Sequence, residues 1–323
     1  MSEYVIVGDV GGTKVRFALA RKTDSGIEID HIEIFRNADF ADFSEAVAAY
    51  LGKVDVPVEQ GLFAMAGPVD KQGSVKLTNR NWPLVRPCEL KYRFGLRDVT
   101  LVNDFAAMAR AIPEMPDSAF EVVLEGTADP DAPVVVTGPG TGFGVSALIR
   151  TATNEWRVLT GEGGHAAYAA HTVREAKVAE LLSEEYGYVS TEMIVSGAWL
   201  QPVHDIISDL HGRPREIVPP AEILKRAEEG DAVAEEVCQL RARSIMGATG
   251  DLVLILGGQG GVVLTGGVAE RMIKWLRRDG ARARFLMRGT HSSFMTDVPV
   301  RVLTDGAAPL IGAAALLFDR EKA

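Results

Sequence analysis

VIVGDVGGTKVRFALA, residues 5–20, is two apolar runs parted by a glycine turn. Residues 4–7 and 15–20 have the β-branched and aromatic content of strands, and the GDVGGT between them breaks both runs. The same plan returns at VVVTGPGTGFGVSALI, residues 134–149, with strands expected at 134–137 and 145–149. That separation is far longer than a solenoid period, so two strand–glycine–strand units suggest duplication of a whole lobe. A dinucleotide fold needs GxGxxG entering a helix, and a Walker loop needs GxxxxGK[ST] entering a helix. Neither spacing occurs: Gly12, Thr13 and Lys14 imitate the end of a Walker loop, but a strand follows.

Outside the hairpins, helix-like spacing is expected at 44–51, 106–112, 173–186, 221–229, 232–246 and 269–278, and strands at 99–102 and 262–264. The apolar stretch 307–318, interrupted by Pro309 and Gly312, is too short to span a membrane and reads as a buried terminal helix. Prolines 113, 116, 130 and 133 punctuate 112–134, the expected crossing between lobes. The 323 residues suffice for two domains, and 34 basic against 44 acidic side chains leave a net charge of −10, which disfavours nucleic acid as a partner. Cys88 and Cys238, far apart, build neither a disulfide framework nor a cysteine zinc site, as expected of a reducing cytoplasm. No export signal is expected from MSEYVIVGD.

Glycine turns let backbone N–H groups converge on phosphate without cationic side chains. The candidate phosphate holders are Gly8, Asp9, Val10, Gly11, Gly12 and Thr13 in the first hairpin, and Gly138, Gly140, Thr141 and Gly142 in the second. The competing reading makes both loops plain hairpin turns. Asp9 would repel phosphate unless a cation lay between, and magnesium, which keeps its waters and binds through few carboxylates, is the natural intermediary. LVNDF puts Asn103 and Asp104 where a strand meets a helix, where one residue can serve as the cap and the other is left for chemistry. Glu162 and His165 in GEGGH share a glycine turn unsuited to a helical metal face. With Glu192 they supply donors and acceptors to ligand hydroxyls. Phosphate-holding hairpins, polar loops and no activated serine or cysteine favour phosphoryl transfer to a hydroxylated small molecule.

In order and spacing the chain resembles the bacterial glucokinases of the hexokinase, actin and Hsp70 superfamily. The matching segments are VGDVGGTKVRFALA, AGP at 66–68, LTNRNWP from Leu77, LVNDFAA from Leu101, TGPGTGFGVSALI, GEGGHAAYA from Gly161, STEMIVSG from Ser190 and GGVVLTGGVA from Gly260. The resemblance implies an α/β, two-domain actin-like ATPase (ribonuclease H-like) fold. Its cleft would lie between a small α/β lobe, 1–113 plus 304–323, and a larger α+β lobe, 114–303. It implies a homodimer that uses ATP and magnesium to phosphorylate D-glucose at its 6-hydroxyl; closure of the lobes is also expected, since an open site would let water compete for the phosphoryl group. Asp104 then corresponds to the general base, Asn79, Asn103, Glu162, His165 and Glu192 to sugar contacts, and Gly266 and Gly267 to the approach of adenosine. Lys14 is more typical of the related ROK sugar kinases, but those carry a zinc-binding cysteine cluster after their histidine, and HAAYAAHT has none. The alternatives are a kinase for fructose, mannose or an amino sugar, or a catalytically silent sugar sensor.

Overall fold

The computed structural model describes residues 3–78 and 80–320, so Asn79 lies outside the described residues. The chain forms two compact units, one reaching Asp117 and resuming at Asp305, the other spanning Ser118–Thr304.

In the first unit, β1 (Val5–Val10), β2 (Lys14–Thr23), β3 (Gly26–Arg36), β4 (Gln60–Met65) and β5 (Asp98–Asn103) form one sheet in the order β3-β2-β1-β4-β5. β1 is antiparallel to β2 and β2 to β3, while β1–β4 and β4–β5 are parallel. Because side chains alternate along a strand, the central strands bury both faces. Ile6, Val10, Phe17, Phe63 and Leu101 join one cluster, with Phe43 and Tyr50 of helix Phe43–Leu51. Val5, Val7, Ala18, Leu62 and Ala64 join the other, against Leu310, Ala313, Ala314 and Leu317 of the terminal helix Ala308–Arg320. That helix crosses helix Asp104–Ala111 so closely that a Cβ on Gly312 would lie 1.7 Å from the Ala107 carbonyl oxygen. Arg110, buried, clamps the crossing through Asp319 at 2.6 Å.

The second unit adds β6 (Phe120–Leu124), β7 (Val134–Pro139), β8 (Phe143–Arg150), β9 (Trp156–Gly161), β10 (Val262–Leu264) and β11 (Val300–Leu303), ordered β6-β11-β10-β7-β8-β9. Read from β9, the order β9-β8-β7-β10-β11 repeats the first sheet, including its antiparallel and parallel pairings. β6 extends the sheet antiparallel to β11. The core packs around the helix Ala232–Leu256, which buries Leu240, Ile245 and Met246.

Two expectations are corrected. The first strand does not stop at residue 7: Gly8 pairs with Phe17 and Phe63 on either side, and a Cβ on it would lie 2.8 Å from the Phe63 ring. The helix expected over 232–246 continues to Leu256, because Gly247 and Gly250 lie beneath the guanidinium groups of Arg284 and Arg288 rather than ending it. Gly257, at φ +67°, supplies the left-handed stop. No helix among the described residues is long and apolar enough to cross a membrane.

Candidate active site

Strand register puts several candidates at one edge of the first sheet. Val10 pairs with Met65 and Met65 with Asn103, so the glycine turn after β1 and the Asn103–Asp104 pair that closes β5 both lie at the carboxyl ends of parallel strands. Ligands bind at this edge in open α/β sheets. Gly11 closes the turn by donating to the Lys14 carbonyl at 3.0 Å, and Thr13 is exposed at the tip. Buried Asn37 braces the turn from outside, its Nδ2 donating to the Gly11 carbonyl at 2.8 Å and its N–H to that of Thr13 at 3.0 Å. Gly8 and Val10 belong to the packed strand. Asp9 stands opposite Arg16 across the hairpin, and its Oδ2 accepts from Nη2 at 2.6 Å and Nε at 3.0 Å. Arg16 also donates to the Gly306 carbonyl.

Asn103 is the helix cap. Its Oδ1 accepts from the Phe105 N–H at 2.9 Å, and its Nδ2 donates to the Gly67 carbonyl at 3.3 Å. Asp104 is the first residue of the helix, half-buried, with Oδ1 also accepting from the Phe105 N–H at 3.0 Å. A carboxylate is favoured at this end of a helix.

The second unit assembles a larger group. The β7–β8 turn is closed by Gly140 donating to the Gly142 carbonyl at 2.9 Å, with Thr141 exposed at its tip. Gly138 lies against the backbone of Thr265, where a Cβ would be 2.0 Å from its carbonyl oxygen. Gly266, at φ +94°, abuts Pro139 and Gly140, and Gly267 opens helix Gly267–Leu276 beside the same turn. Glu162 and His165, both exposed, bracket a tight turn after β9. There a Cβ on Gly164 would lie 1.9 Å from the Phe143 carbonyl oxygen. Thr191 donates to the Ala166 carbonyl at 2.9 Å, tying that turn to the short helix Thr191–Val195. Half-buried Glu192 on this helix accepts from the Phe143 N–H at 2.7 Å through Oε2. Gly197 and Ala198 then donate to the carbonyls of Gly140 and Thr141 at 2.8 and 3.2 Å. Beside these residues lies a mainly apolar slot walled by Leu200, Val268 and Met272, with Cys238 and Arg241 deeper and Arg271 also on its lining. Burial pushes the Cys238 thiol up to about 11, so it is an apolar wall rather than a nucleophile.

Sequence reasoning missed Arg16, Asn37 and Arg241. Arg16 was legible, since positions 9 and 16 face each other once the turn is centred on Gly12 and Thr13. Asn37 and Arg241 act through contacts remote in sequence. Among the described residues no cluster of His, Cys, Asp and Glu is able to hold a metal ion by itself.

The glucokinase family model matches residues 6–320. A glucokinase from Mesorhizobium japonicum is 36% identical over 313 residues, covering 96% of this chain and 90% of that protein. The crystal structure of a glucokinase from an Antarctic psychrotroph superposes with a TM-score of 0.87 at 33% identity, covering 99% of this chain and all of that one. A ROK family glucokinase from Streptomyces griseus, crystallised with glucose and AMPPNP, shares the fold at a TM-score of 0.65 and 21% identity, covering 97% of this chain and 98% of that one. With a family model spanning nearly the whole chain and relatives above 30% identity along its length, the chain belongs to the glucokinase family.

Proposed function

We propose that this protein transfers the γ-phosphoryl group of ATP to the 6-hydroxyl of D-glucose, with Asp104 as general base. Family membership carries the enzyme class, and the repeated strand order supports the actin-like plan for both units. The observation that favours Asp104 is its position. It follows β5 at the sheet edge that also ends in the first glycine turn, and the capping is already done by Asn103.

Asp104 takes the hydroxyl proton as the sugar oxygen attacks the γ-phosphorus in line; the bond from phosphorus to the bridging oxygen breaks, its electron pair leaves with ADP, and the proton stays on the Asp104 carboxyl group until solvent takes it. Glu162, His165 and Glu192 hold sugar hydroxyls, so a sugar lacking a matched hydroxyl would leave a polar group unpaired. The glycine turns receive the phosphates. A Cβ at Gly140 would meet no atom within 4 Å, and one at Gly11 only the Lys14 carbonyl oxygen at 3.6 Å, so the backbone there is open to a close-fitting anion. The slot beside Gly197 and Val268 suits the apolar faces of adenine.

The donor set fits magnesium carried in with the nucleotide. Asp9 is a single carboxylate whose Oδ2 is held by Arg16, leaving Oδ1 to reach the ion through water. Bound in this way, magnesium would neutralise charge on the phosphoryl oxygens.

The test is ADP production with magnesium and ATP across glucose, fructose, mannose, N-acetylglucosamine and no sugar. Turnover mainly with glucose is expected. If glucose binds without stimulating ADP release, the kinase reading fails, and if another sugar is strongly preferred, the substrate is replaced.

A further inference from the structure

Arg241 is 5% exposed in the interior of the Ala232–Leu256 helix. Among the described residues it has no carboxylate partner, and the charged side chain that acts on it is a second arginine, Arg271, which repels it. Its Nη2 donates to the carbonyls of Val195 at 2.6 Å and Ser196 at 2.8 Å, where the helix bearing Glu192 ends. These carbonyls are the negative end of that helix, which helps to hold a cation that water does not reach. Immediately beyond, Gly197 and Ala198 donate to the carbonyls of Gly140 and Thr141. One guanidinium therefore anchors a segment that presents Glu192 on one side and grips the second glycine turn on the other. It also lines the apolar slot.

Stability alone does not account for such a residue. Removing a guanidinium from water without an acidic partner is costly, and the two carbonyl hydrogen bonds return only part of that cost. We propose that Arg241 is a positioning residue that holds the Glu192 segment in register with the second glycine turn and so sets the affinity for the sugar. The proposal rests on Glu192 being a sugar contact.

The experiment compares wild type, R241M, R241K and E192Q by glucose titration calorimetry without nucleotide, ATP KM and chemical unfolding. R241M is expected to bind glucose about tenfold or more weakly, as for a lost charge-assisted anchor, while keeping a single cooperative unfolding transition. R241K, which keeps a donor, recovers part of the affinity. Wild-type glucose binding by R241M beside weak binding by E192Q overturns the positioning role and leaves Glu192 standing. An effect of R241M on ATP alone also overturns it. Wild-type glucose binding by E192Q removes the Glu192 reading and the proposal with it. Should R241M fail to fold, R241K decides on the same glucose readout: weakened binding with an intact transition supports the role, and wild-type binding ends it.

Discussion

The fifth strand of each sheet repeat ends on a similar turn, and the two ends differ at one telling position. After β5, Asn103 accepts from the N–H two residues on and a helix begins at once; after β11, Asp305 accepts from the Ala307 N–H at 2.8 Å and leads to the helix at Ala308. Both side chains accept from the N–H two residues on, but Asn103 is the last residue of β5 and the helix cap, whereas Asp305 lies two residues past β11 and three before its helix. The residue that follows is Asp104 in the first case, already in the helix, and Gly306 in the second, still in the turn. On the proposal that Asp104 is the general base, Asp104→Asn is expected to lower turnover by about 10²- to 10⁴-fold with glucose binding largely kept. Unchanged turnover in a steady-state assay would make the two strand ends equivalent and remove Asp104 from the mechanism.

The same repeat explains how far the sequence could be read. Both glycine hairpins were legible because a break between apolar runs is a local signal, and helix Val173–Tyr186 matched its expected span. β4 was not anticipated, although all its residues are buried, since a short apolar run without alternation carries no period to distinguish strand from helix. β3, with its partly exposed alternation and a left-handed His31 at φ 51°, gave a weaker signal still. At the site, residue types were readable but partners were not. Glu192 lies 49 positions from the Phe143 N–H it binds, and Arg241 46 from the Val195 carbonyl, distances that no local pattern encodes.

The glycines divide along the same line, between those the fold demands and those it leaves uncovered. Gly138 belongs to the first kind. A Cβ there would meet the Thr265 carbonyl oxygen at 2.0 Å and its N at 2.5 Å, backbone atoms pinned by the β7–β10 pairing. Gly138→Ala should cost about 3 kcal/mol in chemical unfolding, and a smaller loss would mean that the strands part easily. Gly312→Ala should cost less, about 2 kcal/mol, because helices Ala308–Arg320 and Asp104–Ala111 slide apart more readily than hydrogen-bonded strands. Its readout is again unfolding; an effect as large as that of Gly138→Ala would show the helix crossing to be as rigid as the sheet.

Gly140 is the counterpart that makes the division testable. It lies two residues from Gly138, its φ is not in the left-handed range, and nothing within 4 Å would meet a Cβ. The fold thus gives no reason for glycine at 140, whereas a phosphate drawn against the turn does, because a methyl group would hold it off the backbone N–H groups. Gly140→Ala should leave unfolding within about 0.5 kcal/mol of wild type while raising the ATP KM about tenfold, equivalent to about 1.4 kcal/mol, with the glucose KM unaffected. Steady-state kinetics with each substrate varied in turn separates the cases. A normal ATP KM would make the second hairpin a turn and nothing more, and an equal rise for glucose would move its role from the nucleotide to the sugar. The opposite pattern at Gly138, lost stability without selective loss of ATP, would then show that two glycines of one loop are kept for different reasons.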